Sequence, residues 1–312
     1  MVRGRLPSRG GGVMRYAFLG AVESSAALLA ALSDAGADIV AVGTLPNAVG
    51  SARHGDFVDI GAQACALGIP VFEAESREGL AAMIAASKPD CLLVFGWSRL
   101  VPMDIVEALP LGGIGFHPAP IPQGRGRHPL IWSIILGVQE GAVSFFRLSE
   151  DPDAGDIFAQ APFPIADDET ARSLMDKVLA HAVDTIPLLL ARLEGEGLAA
   201  AYPQDHTKAV VWRKRSRADG RIDFRMGVQA IDGLVRALSP PYPGAEAQHA
   251  DLGTVTIWRI AIVGDKGRHD WVEPGRVVGL EDGMPIVCAQ DGLIRLVDIE
   301  TPGPIREGSW FC

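Results

Sequence analysis

Cysteine is nearly absent. Four residues in 312 are cysteine (Cys65, Cys91, Cys288 and Cys312), with no Cys-x-x-Cys pair and no histidine nearby at metal-ligand spacing. A disulfide framework is not expected in so long a chain, nor is a structural metal. The thiols read as buried or free in a reducing compartment, the cytoplasm. Long apolar runs are missing too: none reaches the roughly 18 to 20 residues a membrane-spanning helix needs. The basic, Gly-rich opening MVRGRLPSRGGGV lacks the apolar stretch of a secretory signal, so residues 1–13 read as a disordered extension ahead of Met14. A surplus of positive charge is also lacking. The net charge is −10, with 14 Lys/Arg against 14 Asp/Glu in residues 207–312 and 14 against 24 in residues 1–206. Neither part advertises the basic face that neutralises a nucleic-acid backbone, which weighs against an RNA partner.

Hydrophobic residues, at 48%, supply ample material for a core, and the length suits two domains. The first part alternates β-branched runs with helix-like stretches. RYAFLG (15–20), DIVAVGT (38–44), IPVFE (69–73), DCLLVFG (90–96) and GGIGFH (112–117) read as strands. Residues 24–36, 57–68, 77–87 and 104–109 read as helices between them. Strands apolar on both faces and separated by helices predict a doubly wound, mainly parallel α/β sheet of Rossmann type, with ligands at the carboxyl ends of its strands. HPLIWSIILG (128–137) reads as a further helix, AVSFFRLS and DIFAQAPFPI as a hairpin. Residues 169–195 read as a long helix capped by Asp168 and kinked or broken at Pro187. The catalytic domain is thus expected over 14–196 and a linker over 197–208. Short Gly- and Pro-punctuated strands over 209–312 predict a small antiparallel β-rich domain, an OB-like barrel.

Two residues carry the chemistry. His117 ends a predicted strand and opens a Pro-rich loop, so it can point into the crevice above the sheet. Asp153 lies 36 residues later in a tight acidic turn, DPDAG. A carboxylate that orients an imidazole and raises its basicity makes an acid/base pair. Taken singly, a strand-end histidine is more often a satisfied polar residue and an Asp in such a turn is ordinary turn chemistry.

Taken together, the motifs resemble a family. HPAPIPQGRGRHP is similar to the His-x-x-Leu-Leu-Pro-x-x-Arg-Gly signature of formyltetrahydrofolate-dependent formyltransferases, and DPDAGDI resembles their Asp-x-Gly-Asp-Ile segment at the same separation. The match continues through VFGWSRLVP (94–102), DGRIDF (219–224) and LVRALSPPYPGA (234–245). The resemblance implies a co-substrate, 10-formyltetrahydrofolate, and no metal. It makes His117 and Asp153 the catalytic pair. Arg99, Leu100 and Val101 would line the pterin pocket, with Ile121, Pro122 and Arg127 beside the folate and Ser149, Glu150, Asp151 and Pro152 reading the pterin edge. Read from the residues themselves, Trp97, Phe116 and Trp132 can wall an acceptor, with Trp132 the more natural core residue. Arg125 and Arg127 in the Gly-rich loop are either solvated or in contact with an anion, a folate glutamate or a substrate phosphate.

One position departs from the family's Asn-x-His. Gly115 replaces the asparagine expected to donate to the formyl oxygen, and it is read as leaving room for a water, with protonated His117 or His128 as the alternative oxyanion donors. Among acceptors, the resemblance favours the branch that formylates nucleotide-linked amino sugars for surface glycans such as lipopolysaccharide. The segment 46–60, with Arg53 and no lysine, lacks the basic insertion expected of a methionyl-tRNA formyltransferase. Water as acceptor, an inactive folate-binding derivative and a nucleotide-cofactor protein stay as alternatives. Against the last, LGAVESSAALL lacks G-x-G-x-x-G. The oligomeric state, a homodimer included, is left open.

Overall fold

The computed structural model describes residues 13–47, 49–50 and 57–312. The expected extension before Val13, and Arg53, lie outside them. The strands of the first part are β1 (Arg15–Leu19), β2 (Asp38–Thr44), β3 (Val71–Glu73), β4 (Cys91–Val94), β5 (Gly113–His117), β6 (Arg125–Gly126), β7 (Glu140–Arg147) and β8 (Ile157–Pro164). All but β6 join one seven-stranded sheet in the order β3-β2-β1-β4-β5-β7-β8. The pairings of β1 with β2 and β4, of β2 with β3 and of β4 with β5 are parallel. This is the expected doubly wound, mainly parallel sheet.

Helix boundaries follow local chemistry. The helix Arg77–Ser87 starts where Ser76 Oγ accepts the Gly79 amide, and it ends at Lys88 in the left-handed region. The long helix Ala171–Glu196 differs from expectation at its cap and is not broken at Pro187. Thr170 and Ser173 exchange the capping hydrogen bonds that Asp168 was expected to provide, and the helix continues through Pro187. No helix among the described residues is long and apolar enough to cross a membrane.

The strand order reverses between β1 and β4, where a Rossmann protein would bind a nucleotide. Here the place is taken by a side chain. The Ser25 hydroxyl accepts the Ala21 and Val22 amides (3.0 and 3.1 Å) and donates to Phe95 O (2.7 Å), fully buried. Amides that would turn to a phosphate are already satisfied. Beneath them Phe18, Phe95, Phe116 and Phe145 form an aromatic cluster with centroids 5.2 to 6.2 Å apart, a geometry worth about 0.5–1.5 kcal/mol per pair beyond area burial.

The last part holds β9 (Val211–Trp212), the helix Val228–Ala237, β10 (Ala245–His249), β11 (Gly253–Gly264), β12 (Val277–Glu281), β13 (Met284–Cys288) and β14 (Leu293–Glu300). Five of these strands form an antiparallel sheet, β10-β11-β14-β13-β12. The carboxyl-terminal residues fasten both its edges: Phe311 bridges to His249 and Trp310 to Arg276, while Ser309 O accepts the Val277 amide at 2.9 Å.

By contact density the chain falls into two compact units. One holds the described residues up to Phe116 with Phe145–Ala159 and Ala182–Gln204; the other holds His117–Ser144, Gln160–His181 and Asp205–Cys312.

Candidate active site

His117 ends β5 and is only 6% exposed. Its Nε2 lies 2.8 Å from Gly124 O, so in the neutral ring Nε2 donates and Nδ1 keeps the lone pair. The loop that follows is fixed from several sides. Ser144 Oγ on β7 donates to Ala119 O (2.7 Å), and Gln160 Nε2 on β8 donates to Ile121 O (2.9 Å). Ile121 is buried, and Pro122 O accepts the Val210 amide. Next comes a parallel pairing of β6 with β9 that the sequence did not signal. Gly126 makes it possible: its φ is +102°, and a β-carbon there would lie 2.2 Å from Trp212 O. Arg125, expected to meet an anion, is buried and donates to His206 Nδ1 at 3.3 Å.

Asp153 sits in the turn between β7 and β8 with φ +58°, a conformation that Asp tolerates better than most residues and that often marks functional turns. Ser149 Oγ donates to Asp151 O (2.8 Å), and Glu150, Asp151 and Pro152 are exposed. The turn closes on Gly155, where a β-carbon would lie 1.9 Å from Arg147 O. Gln204 then clamps it. This residue is 5% exposed, and its amide donates to Asp153 O (2.9 Å) and Gly155 O (2.6 Å). Sequence reading missed Gln204, because a lone glutamine in a small, polar stretch carries no signal.

At Gly115 the structure corrects the expectation of spare room. A β-carbon there would lie 2.7 Å from Phe146 Cζ and 3.0 Å from Leu148 Cδ2. Phe146 on β7 and Leu148 just beyond it fill the place where a side chain would begin. His128 is corrected too. Burial, then Arg127, Arg215 and Lys214, hold its pKa below the ordinary imidazole value, which disfavours the protonated donor.

The remaining expected residues fall into separate places. Trp97, Arg99, Leu100 and Val101 line a cleft of about 210 Å³ with Glu75, Ser76 and Arg77, and Arg99 donates to Glu75 O at 2.7 Å. Leu100 is exposed there. Ser149 and Glu150 line a second cleft of about 300 Å³ with Met103, Val106, Arg147 and Leu148. Of the pterin positions expected from the resemblance, Arg99, Leu100 and Val101 thus line one cleft and Ser149 and Glu150 another. Phe116 packs into the aromatic cluster and is only partly buried. Among the described residues no cluster of three or more His, Cys, Asp or Glu is placed to hold a metal ion.

Comparison with known proteins identifies the family. The formyl transferase family matches residues 14–190, and the formyl transferase carboxyl-terminal domain matches residues 214–307. A methionyl-tRNA formyltransferase from Koribacter versatilis is 30% identical over 246 residues, covering 78% of this chain and 76% of the relative. Among solved structures, HypX from Aquifex aeolicus in complex with tetrahydrofolic acid superposes with a TM-score of 0.66 at 19% identity, over 94% of this chain. The chain spans only 45% of HypX. An N-formyltransferase from Helicobacter canadensis, in complex with folinic acid and dTDP-3-aminofucose, gives a TM-score of 0.64 at 16% identity over 91% of this chain and 98% of its own. At such identities the likeness to solved structures is one of fold. Both domain matches, with the Koribacter relative and the sheet topology, place this chain in the formyl transferase family.

Proposed function

We propose that the protein transfers the formyl group of 10-formyltetrahydrofolate to the amine of a nucleotide-linked amino sugar. The observation that carries the reaction is His117, buried at the end of β5 with Nε2 held by Gly124 O. The amine nitrogen attacks the formyl carbon. Its proton passes to Nδ1 of His117, and the tetrahedral oxyanion collapses as the folate nitrogen leaves, taking a proton in turn. Asp153, on the sequence resemblance, is the carboxylate that favours the charged imidazole. Two clefts in the first unit supply apolar walls and hydrogen-bonding backbone for the folate, through Trp97 to Val101 on one side and Ser149 on the other.

The acceptor is argued from charge. An excess of ten acidic groups in residues 1–206 repels a tRNA backbone, whereas a nucleotide sugar presents few charges. One specific observation favours the second reading, methionyl-tRNA: the Koribacter relative carries that name. Assaying the purified chain with 10-formyltetrahydrofolate against nucleotide-linked amino sugars and charged methionyl-tRNA tests both. Turnover confined to tRNA, or a tight and steeply salt-dependent tRNA complex, would overturn the first reading.

A further inference from the structure

Pairing of β6 with β9 brings two basic stretches of chain together. The Arg127 amide donates to Trp212 O at 3.0 Å, so Arg127 and His128 lie beside Arg213, Lys214 and Arg215. Trp132 ties them: its indole N–H donates to Arg213 O (3.0 Å), and the Arg213 and Arg215 guanidinium carbons lie 5.2 and 5.8 Å from its ring centre. The Asp219 carboxylate is taken by Arg213 and the Ser216 amide. Arg215 is only 9% exposed; one terminal nitrogen reaches Asp219 O (2.8 Å), but its Nε has no partner among the described residues. Arg127 and Lys214 are exposed and form no ion pair among the described residues.

A chain with a net charge of −10 has thus gathered three cations that form no ion pair among the described residues, one of them buried with an orphaned donor. Burying a guanidinium beside like charges is unfavourable unless an anion completes it. We infer that Arg127, Lys214 and Arg215 form a binding site for the phosphate of the acceptor. This rests on the reading that the chain formylates an amine. Three positive charges exceed what a single carboxylate neutralises and suit a phosphate or diphosphate. The site also lies at a suitable distance from the chemistry. Arg127 is three residues beyond Gly124, whose carbonyl holds His117, so the two backbones are at most about 11 Å apart. An acceptor carrying its amine and phosphate on one or two neighbouring rings spans that length.

The test is calorimetric titration of the full chain with inorganic pyrophosphate, a panel of nucleoside diphosphates, uncharged tRNA and, separately, a reduced folate. Lys214→Glu and Arg127→Glu are compared with wild type. Pyrophosphate should bind wild type and weaken about ten-fold or more in each charge reversal, while folate binding is unchanged in Lys214→Glu. Nucleoside diphosphates competing with pyrophosphate would trace the phosphate to a small acceptor. Competition by tRNA alone, lost in the same variants, would keep the site and trace its phosphate to the nucleic acid. Failure of wild type to bind pyrophosphate, or equal binding by both variants, overturns the site. Absence of folate binding overturns instead the proposed transferase reaction.

Discussion

A β-carbon at Gly115 would lie 2.7 Å from Cζ of Phe146, so the phenyl ring on β7 holds the place that a side chain on β5 would need. The glycine and the phenylalanine are one packing solution. Gly115→Asn should therefore cost about 1–3 kcal/mol by overpacking, read as a lowered denaturant midpoint, and should not raise turnover. Combined with Phe146→Ala, its cost should shrink, giving non-additivity of about 0.5–3 kcal/mol. Strict additivity would mean that the two positions do not compete for space.

Proton transfer is the role assigned to His117 and Asp153. Replacing either by alanine should lower kcat roughly 10²- to 10⁴-fold, with reduced-folate affinity held within a few-fold. Steady-state kinetics and folate titration check this. Near wild-type turnover in one variant would remove that residue from the mechanism.

Gln204 donates to both carbonyls that shape the Asp153 turn. Gln204→Ala leaves those carbonyls unsatisfied and should cost about 1–3 kcal/mol. Because the loss falls on positioning, kcat should drop more than folate affinity, and Gln204→Glu should not restore it, since a carboxylate cannot donate. A variant that loses stability alone, with unaltered kcat at low temperature, would make the clamp merely structural.

His128 has a folded-state pKa held below its unfolded value, burial being the first cause. Above the ordinary imidazole value of about 6.5 both states are neutral and the residue is indifferent to pH. As pH falls below that value the unfolded chain binds the proton first, and folded stability declines. His128→Asn, which suits the left-handed backbone (φ 58°), should flatten the melting temperature between about pH 6.5 and 5. A steeper acid limb in the variant would reverse the assignment. Phosphate bound beside His128 should raise its pKa, visible as a shift of the imidazole titration by NMR.

The seven-stranded sheet was legible because its signal is local. Cys91 to Val94 are apolar on both faces, and a β-branched run between helical stretches has few alternative structures. The strand end at His117 and the turn at Asp153 were legible through local pattern and flanking motifs. What could not be read was pairing between distant, nearly featureless segments. Nothing in VVWRK announces that Val211 and Trp212 add a parallel strand to Arg125 and Gly126. The space at Gly115 was misjudged for the same reason, since its occupant, Phe146, lies 31 residues away and shows in sequence only as an apolar residue. The cap at Thr170 was displaced from Asp168 because both residue types cap helices and only geometry selects between them.

The stretch Gln204 to Trp212 is small and holds little regular structure, yet it cannot be treated as a tether. Gln204 braces the turn of the carboxylate, and a few residues later Val210 and Trp212 brace the loop of the histidine. Shortening, lengthening or replacing residues 204–212 with a flexible spacer would act on catalysis even if both halves folded perfectly. Attempts to exchange the carboxyl-terminal domain between relatives should accordingly place the junction after Trp212, so that the splint travels with the site it supports.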